Sequence, residues 1–191
     1  MKKLSTDTIS FLTAAAIFLC CLFPSHIRSK MASGVKVTDA VKDLINEMKV
    51  VKNDADQNER VRLVIFRIDD SEGAIVVDKI YRQKDLADVD DVFKFFIGLL
   101  DSKVCRYLMY DCHFETKESS RKEELVAVMW APDTAPIKEK MKYASSKDSL
   151  KKIQTGVKHM LEMNDLSDYG TRESFAERMG KGVVKLEGHA V

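Results

Sequence analysis

Usable sulfur chemistry is the first thing this chain lacks. Its four cysteines are too badly spaced either to staple the fold or to hold a metal. Cys20 and Cys21 are neighbours in an apolar run. Cys105 and Cys112 fall on one predicted strand, which holds them roughly 20 Å apart and out of disulfide reach. There is no CxxC and no Cys/His group at metal spacing, so neither a metal nor a cofactor is expected. The globular part reads as reduced and cytosolic. The four histidines, His26, His113, His159 and His189, show no HExxH or other ligand spacing, and GxSxG, Walker and GxGxxG patterns are missing. Cys105 or Cys112 beside His113 would make a poor nucleophile pair, because adjacent strand residues point to opposite faces. An enzyme is therefore not expected. No period recurs, which argues against a repeat architecture. The formal net charge of +1 is too small for a general nucleic-acid binder.

What is present suffices for one core. With 45% hydrophobic residues in 191, the chain is most simply one domain plus an extension. The extension is residues 1–30: Lys2 and Lys3 precede an apolar stretch from Ile9 to Phe23, and Pro24, His26, Arg28 and Lys30 follow. The pattern is signal-like, although a small-x-small cleavage site is missing and the run is short for a bilayer span. Three readings stand: an upstream start with Met31 as the working initiator, a targeting segment, and a membrane anchor. Residues 31–191 carry the fold. The even charge balance hides an asymmetry, since 134–158 is strongly basic while 53–59 and 85–91 are acidic. The basic stretch asks for an acidic partner.

Local patterns predict the elements. Thr38 can cap a helix whose apolar face is Val41, Leu44, Ile45 and Met48. VRLVIFRI (61–68) and AIVVDKIY (74–81) flank Asp69-Asp70-Ser71-Glu72-Gly73, a hairpin signal. Val92, Phe93, Phe96, Ile97 and Leu100 repeat at helical spacing. VCRYLMYD (104–111) and LVAVMW (125–130) read as strands, the second covered on both faces, with a charged turn from Glu115 to Glu124 between them. A helix begins near Thr134, capped by Asp133 or Thr134, with Pro136 in its first turn. Ile137, Met141 and Ala144 form its packing stripe, while Lys138, Lys140 and Lys142 point elsewhere. Ser145 and Ser146 cap a second helix carrying Leu150, Ile153, Val157 and Met160, decorated by Lys147, Lys151, Lys152 and Lys158. A last helix runs from near Thr171 to Met179-Gly180, and Val183 to Leu186 adds an edge strand. The order predicts an α/β or α+β domain, a mixed sheet covered on both faces.

Five segments go beyond periodicity: MASGVKVTD at 31–39, CRYLMYDCHFETKES at 105–119, RKEELVAVMWAPDTAPIKEKMKYASSKDSLKK at 121–152, GVKHML at 156–161, and LEGHAV at 186–191. Through them the chain from Met31 onward resembles the ADF/cofilin family of actin-binding proteins. The WAPDTAPIKEKMKYASSKD block is the most specific, because its tryptophan, both prolines, lysine spacing and double serine recur in that family in this order. The resemblance implies the ADF-homology fold, a central mixed sheet of roughly five to six strands sandwiched between helices. It also implies a non-enzymatic, monomeric protein of the cytoplasm and actin cytoskeleton. Such a protein binds actin monomers and filaments, prefers the ADP state, changes filament twist, severs filaments and speeds subunit loss.

Carried over residue by residue, the resemblance implies a monomer-and-filament surface made of Ser33, Gly34 and Val35 with Lys138, Lys140, Met141, Lys147, Lys151 and Lys152. A filament-only surface would comprise Arg121 and Lys122, joined by Glu177 and Arg178 of the last helix. Ser33 would be phosphorylated by LIM-type kinases, which blocks actin binding; phosphate adds about −1.5 to −2 charges. His159 matches a position tied to pH sensitivity, with Glu124 as its carboxylate partner. Lys138, Lys140, Lys151, Lys152 and Lys158 would attract phosphoinositide headgroups, so lipid and actin would compete. The side chains suit these uses, since lysines present hydrated point charges and Met141 can fill an irregular apolar cleft.

Two departures narrow the expectation. Where vertebrate members carry a basic run for nuclear import, this chain reads NDADQNER at 53–60, so import by that route is not expected. Ile153 replaces a third consecutive lysine, which lowers the charge available for lipid. A rival reading keeps residues 1–30 functional and makes the chain a membrane-anchored or secreted variant that binds phosphoinositides or another acidic partner instead of actin.

Overall fold

The computed structural model describes residues 35–50, 56–118 and 120–191. Ser33, Gly34 and the 1–30 extension lie outside the described residues. In chain order the elements are β1 (Lys36–Val37), α1 (Asp39–Lys49), β2 (Val61–Asp69), β3 (Ala74–Arg82), α2 (Val92–Gly98), β4 (Arg106–Thr116) and β5 (Arg121–Trp130). There follow α3 (Ile137–Lys151), β6 (His159–Met163), α4 (Leu166–Tyr169), α5 (Arg172–Met179), β7 (Val183–Leu186) and β8 (His189–Ala190). Among the described residues no helix is long and apolar enough to cross a membrane.

The strands form one mixed sheet in the order β1-β3-β2-β4-β5-β6, with β7 beside β4 and β8 beside β7. β1 and β6 run parallel to their neighbours, and the other pairings are antiparallel. Because β1 and β8 are each two residues long, the six longer strands make up the body of the sheet. The predicted hairpin is β2–β3. Its turn is tightened by Asp69, whose carboxylate accepts bonds from the Ser71 backbone and hydroxyl at 2.8 and 2.5 Å, and by Gly73 at φ +59°, where glycine avoids the Cβ penalty.

β2 shows why Leu63 to Phe66 form an unbroken apolar run. Leu63 and Ile65 face one core with Phe93, Phe96, Tyr110, Val128 and Phe175, under α2 and α5. Val64, Phe66 and Ile68 face the other with Val41, Ile45, Tyr107, Tyr143 and Leu150, under α1 and α3. A strand covered on both faces has no polar side to alternate. Trp130 is buried at the end of β5 and its indole donates to the Asp101 carbonyl at 2.6 Å. That bond satisfies the polar end of an otherwise apolar ring.

Three sequence expectations fail between residues 134 and 163. First, Ser145 and Ser146 do not cap a new helix: their hydroxyls donate back to the Lys142 carbonyl at 3.0 and 2.8 Å, so α3 runs straight through them. Second, the stretch holding Val157 and Met160 is no helix. After a turn with Gly156 at φ +91° the chain becomes β6, where Leu161 and Met163 alternate inward. Short apolar spacings fit either period, and the parallel seat beside β5 decides. Third, the expected caps are engaged elsewhere. The N-cap of α3 is Pro136 with no side-chain cap bond, the Thr134 hydroxyl donates to the Ser102 carbonyl, and Asp133 pairs with Lys140 at 3.2 Å.

β4 changes partner along its length. Tyr107 to Tyr110 pair with β2 and Phe114 to Thr116 pair with β7, leaving Asp111 to His113 unladdered on that edge. Two charged residues fill the gap. Arg62 Nε donates to the Asp111 carbonyl at 3.3 Å. Glu187 accepts from the His113 amide at 2.9 Å and returns its own amide to the His113 carbonyl at 2.8 Å.

Candidate functional site

The outer face of α3 departs furthest from what its sequence predicts. Tyr143, Ser146 and Leu150 are the residues it buries. Ile137, Met141 and Ala144, the stripe expected to pack, lie on the opposite side of the helix at 100° per residue. Ile137 is 74% and Met141 67% exposed. α3 therefore has an apolar stripe on each side. The inner one is disguised by Ser146 and by the polar rim of Tyr143, whose hydroxyl accepts from the Ile68 amide at 3.1 Å.

Charge surrounds the outer stripe unevenly. Lys138 is exposed and makes no ion pair among the described residues. Lys140 is held by Asp133 at 3.2 Å, and Lys147 by Glu162 of β6 at 2.5 Å. Lys142 reaches back to Asp70 in the β2–β3 turn. Lys151 closes the helix and Lys152 is its C-cap. From Lys138 to Lys151 the helix rises about 20 Å, so Lys138 and Lys140 stand well apart from Lys151 and Lys152, while Lys158 lies off the helix on Glu124.

The N-terminal strand comes to the same place. Lys36 and Val37 of β1 lie against α3. The segment is fastened to β3 through the Lys36 amide on the Gly73 carbonyl at 3.3 Å and the Thr38 amide and hydroxyl on the Ile75 carbonyl at 3.2 and 3.1 Å. Val35 is half-buried beside the α1 and α3 core. Of the predicted monomer-and-filament set, Val35, Lys138, Lys140, Met141, Lys147, Lys151 and Lys152 are thus brought to α3 and its edges, while Ser33 and Gly34 lie outside the described residues.

Arg121 and Lys122 are elsewhere. They start β5, nine strand steps and so about 30 Å from Trp130 at its far end. Both are exposed, opposite Glu115 and Phe114 of β4. Glu177 and Arg178 are exposed on α5, which contacts β7 and so belongs to this second region. Arg178 lies over the Tyr169 ring at 5.1 Å.

His159 opens β6 rather than lying on a helix. Its Nε2 is 2.5 Å from Glu124, which also holds Lys158 at 2.6 Å. Burial disfavours the charged carboxylate of Glu124, yet hydrogen bonds from Lys158 and His159 hold it below the ordinary range. The expected pair is assembled, with Lys158 as a third member. Cys105 and Cys112 are buried free thiols, and burial raises both, so neither is a ready nucleophile.

Two features of this face are hidden in the sequence. Ile137 fits a core stripe by its spacing, yet it follows Pro136 at the start of the helix and is exposed. Glu162 meets Lys147 only because 159–163 is a strand.

A family model described as cofilin/tropomyosin-type actin-binding protein matches residues 34–180. Among solved structures, the chain is similar to cofilin of Streptomyces griseoflavus at 29% identity and TM-score 0.63, covering 78% of this chain and 99% of that one. It is similar to actin depolymerization factor 2 of Plasmodium berghei at 30% identity and TM-score 0.63, covering 78% and 99%. An ADF-like protein of Caenorhabditis elegans shares the fold at 24% identity and TM-score 0.61, covering 79% and 97%.

Proposed function

We propose a function from one premise: this chain belongs to the ADF/cofilin family of actin-binding proteins. It engages actin monomers and filaments through the outer face of α3, prefers the ADP state, and severs and shortens filaments without chemical catalysis. One observation supports this choice of face: Ile137 and Met141 stand exposed side by side on a helix that meets its packing needs on the other side. Large apolar side chains beside an unpaired lysine have the composition of an anchor with a steering charge.

The second region, with Arg121 and Lys122, is the filament-side contact. Two contacts on different elements, one on α3 and one at the start of β5, can address neighbouring subunits. A protein that grips both best in one twist shifts the filament toward that twist and away from its own lattice.

Co-sedimentation with filaments tests the reading. Lys138→Ala/Lys140→Ala is expected to weaken pelleting about tenfold, chiefly through slower association and with a shallower salt dependence. Equal pelleting of variant and wild type would remove these lysines from the site. Ser33 is proposed as the switch, because it lies two residues before Val35 and a phosphate there would face the partner that the lysines attract. Ser33→Glu is expected to abolish severing on labelled filaments, and normal severing by that variant would sink the switch.

A further inference from the structure

The gap where β4 exchanges β2 for β7 holds a buried ionic cluster that the actin surface does not use. Arg62, 3% exposed at its side chain, sits 2.9 Å from Glu187 and 3.9 Å from Asp111. Arg60 bridges Asp111 and Glu123, each at 2.6 Å. His113 of β4 faces the same cluster, opposite Glu123 of β5 in the ladder. Its Nε2 lies 3.5 Å from Asp111 and 3.9 Å from Glu123, and it is buried without a hydrogen-bond partner among the described residues. A buried nitrogen left unmatched needs an explanation.

Charge counting supplies one. Among the described residues the charged groups facing His113 are Arg60 before β2, Arg62 of β2, Asp111 beside it on β4, Glu123 of β5 and Glu187 after β7. That is two cations against three carboxylates. With a neutral imidazole the cluster carries one surplus negative charge; an imidazolium balances it. Burial opposes the charge on Glu123, yet Arg60 and His113 hold its carboxyl below the ordinary range.

We propose that His113 is the proton-responsive member of this clasp: protonation draws Nε2 onto Asp111 and Glu123 and fastens β4 to β5 beneath the hairpin end that carries Arg121 and Lys122. The link to those two residues rests on the proposed function; the clasp itself does not. Asp111 and Glu123 face the ring only in the folded chain, so a protonated ring favours the clasp and a neutral ring loosens it.

Thermal melts of the full chain, from about pH 5.5 to about pH 8, compare wild type with His113→Gln, Glu123→Gln and His159→Gln. Wild type is expected to melt about 2–4 °C above His113→Gln at the acidic end, with the gap closing toward the alkaline end. His159→Gln should retain wild type's advantage over its His113→Gln double variant, while adding Glu123→Gln should shrink it. A gap that is flat with pH, or that widens as pH rises, overturns the proposal. Should His113→Gln not fold, the ring resonances of wild type decide: a His113 ring that does not titrate over this range, or whose midpoint is unmoved by Glu123→Gln, is equally fatal. No arm requires actin, so failure of the clasp and failure of the actin reading are told apart.

Discussion

Met141→Glu should reduce affinity for both monomeric and filamentous actin by roughly 100-fold or more while leaving the melting temperature within a degree or two of wild type. The two halves of this expectation come from the same geometry. Met141 is 67% exposed and lies on the side of α3 opposite Tyr143, Ser146 and Leu150, so the fold has little to lose; exposed substitutions away from special features usually change stability by less than about 0.5 kcal/mol. At an interface the same side chain is an anchor, and truncating an anchor costs about 2 kcal/mol or more. Glutamate adds a second penalty, because it places a negative charge where Lys138 and Lys140 attract an acidic partner. Together these terms come to about 3 kcal/mol, which is the stated factor. Filament co-sedimentation, a fluorescence titration on monomers and a melting curve check it. Ile137→Asp should behave alike, since that side chain is still more exposed. Unchanged binding by both variants would move the docking face away from α3, whatever the family.

The residues of the proposed site are easier to pick out in the sequence than the orientation of the helix that carries them. The lysines, Met141 and the two prolines were placed by an ordered motif, which is indifferent to which way a side chain points. Orientation needed the partner elements. Ile137, Met141 and Ala144 form as good a helical stripe as Tyr143, Ser146 and Leu150, and a buried serine hides the second one; only the core opposite α3 distinguishes them. The hairpin of β2 and β3 and the helix of Val41, Leu44, Ile45 and Met48 were legible because one periodicity and one turn signal agreed. β6 was not, since five residues are too few to separate period 2 from 3.6, and the seat beside β5 is a long-range fact. Arg62 and Glu187 were invisible for the same reason. They lie 125 positions apart, one within a strand of mostly apolar residues and the other near the C-terminus.

That distant pair carries the largest expected effect on stability. Glu187 spends its carboxylate on three groups: Arg62 Nη2 at 2.9–3.0 Å, the Tyr110 hydroxyl at 2.6 Å and the His113 amide at 2.9 Å. Its backbone sits at φ +49°, an unfavourable region for a residue with a Cβ, and these bonds hold it there. Burial, with the neighbouring Glu187 charge, pushes the Tyr110 hydroxyl well up, so that ring stays a neutral donor. Glu187→Ala leaves Arg62, 3% exposed, without its closest carboxylate, and the Tyr110 hydroxyl and His113 amide without acceptors. Removing one partner of a buried ion pair typically costs about 3–5 kcal/mol, which for a chain of this size lowers the melting temperature by roughly 6–20 °C. The pair itself need not be worth that much. Arg62→Met/Glu187→Leu removes both charges and fills the space with apolar atoms, and is expected to recover a large part of the loss. Denaturant melts of the two single variants and the double give the coupling directly. A Glu187→Ala protein as stable as wild type would mean that β7 and β8 contribute nothing to closing the sheet at the point where β4 changes partner. A double variant no better than the worse single would show that the hydrogen bonds to Tyr110 and His113, rather than the stranded Arg62 charge, hold the C-terminal hairpin in place.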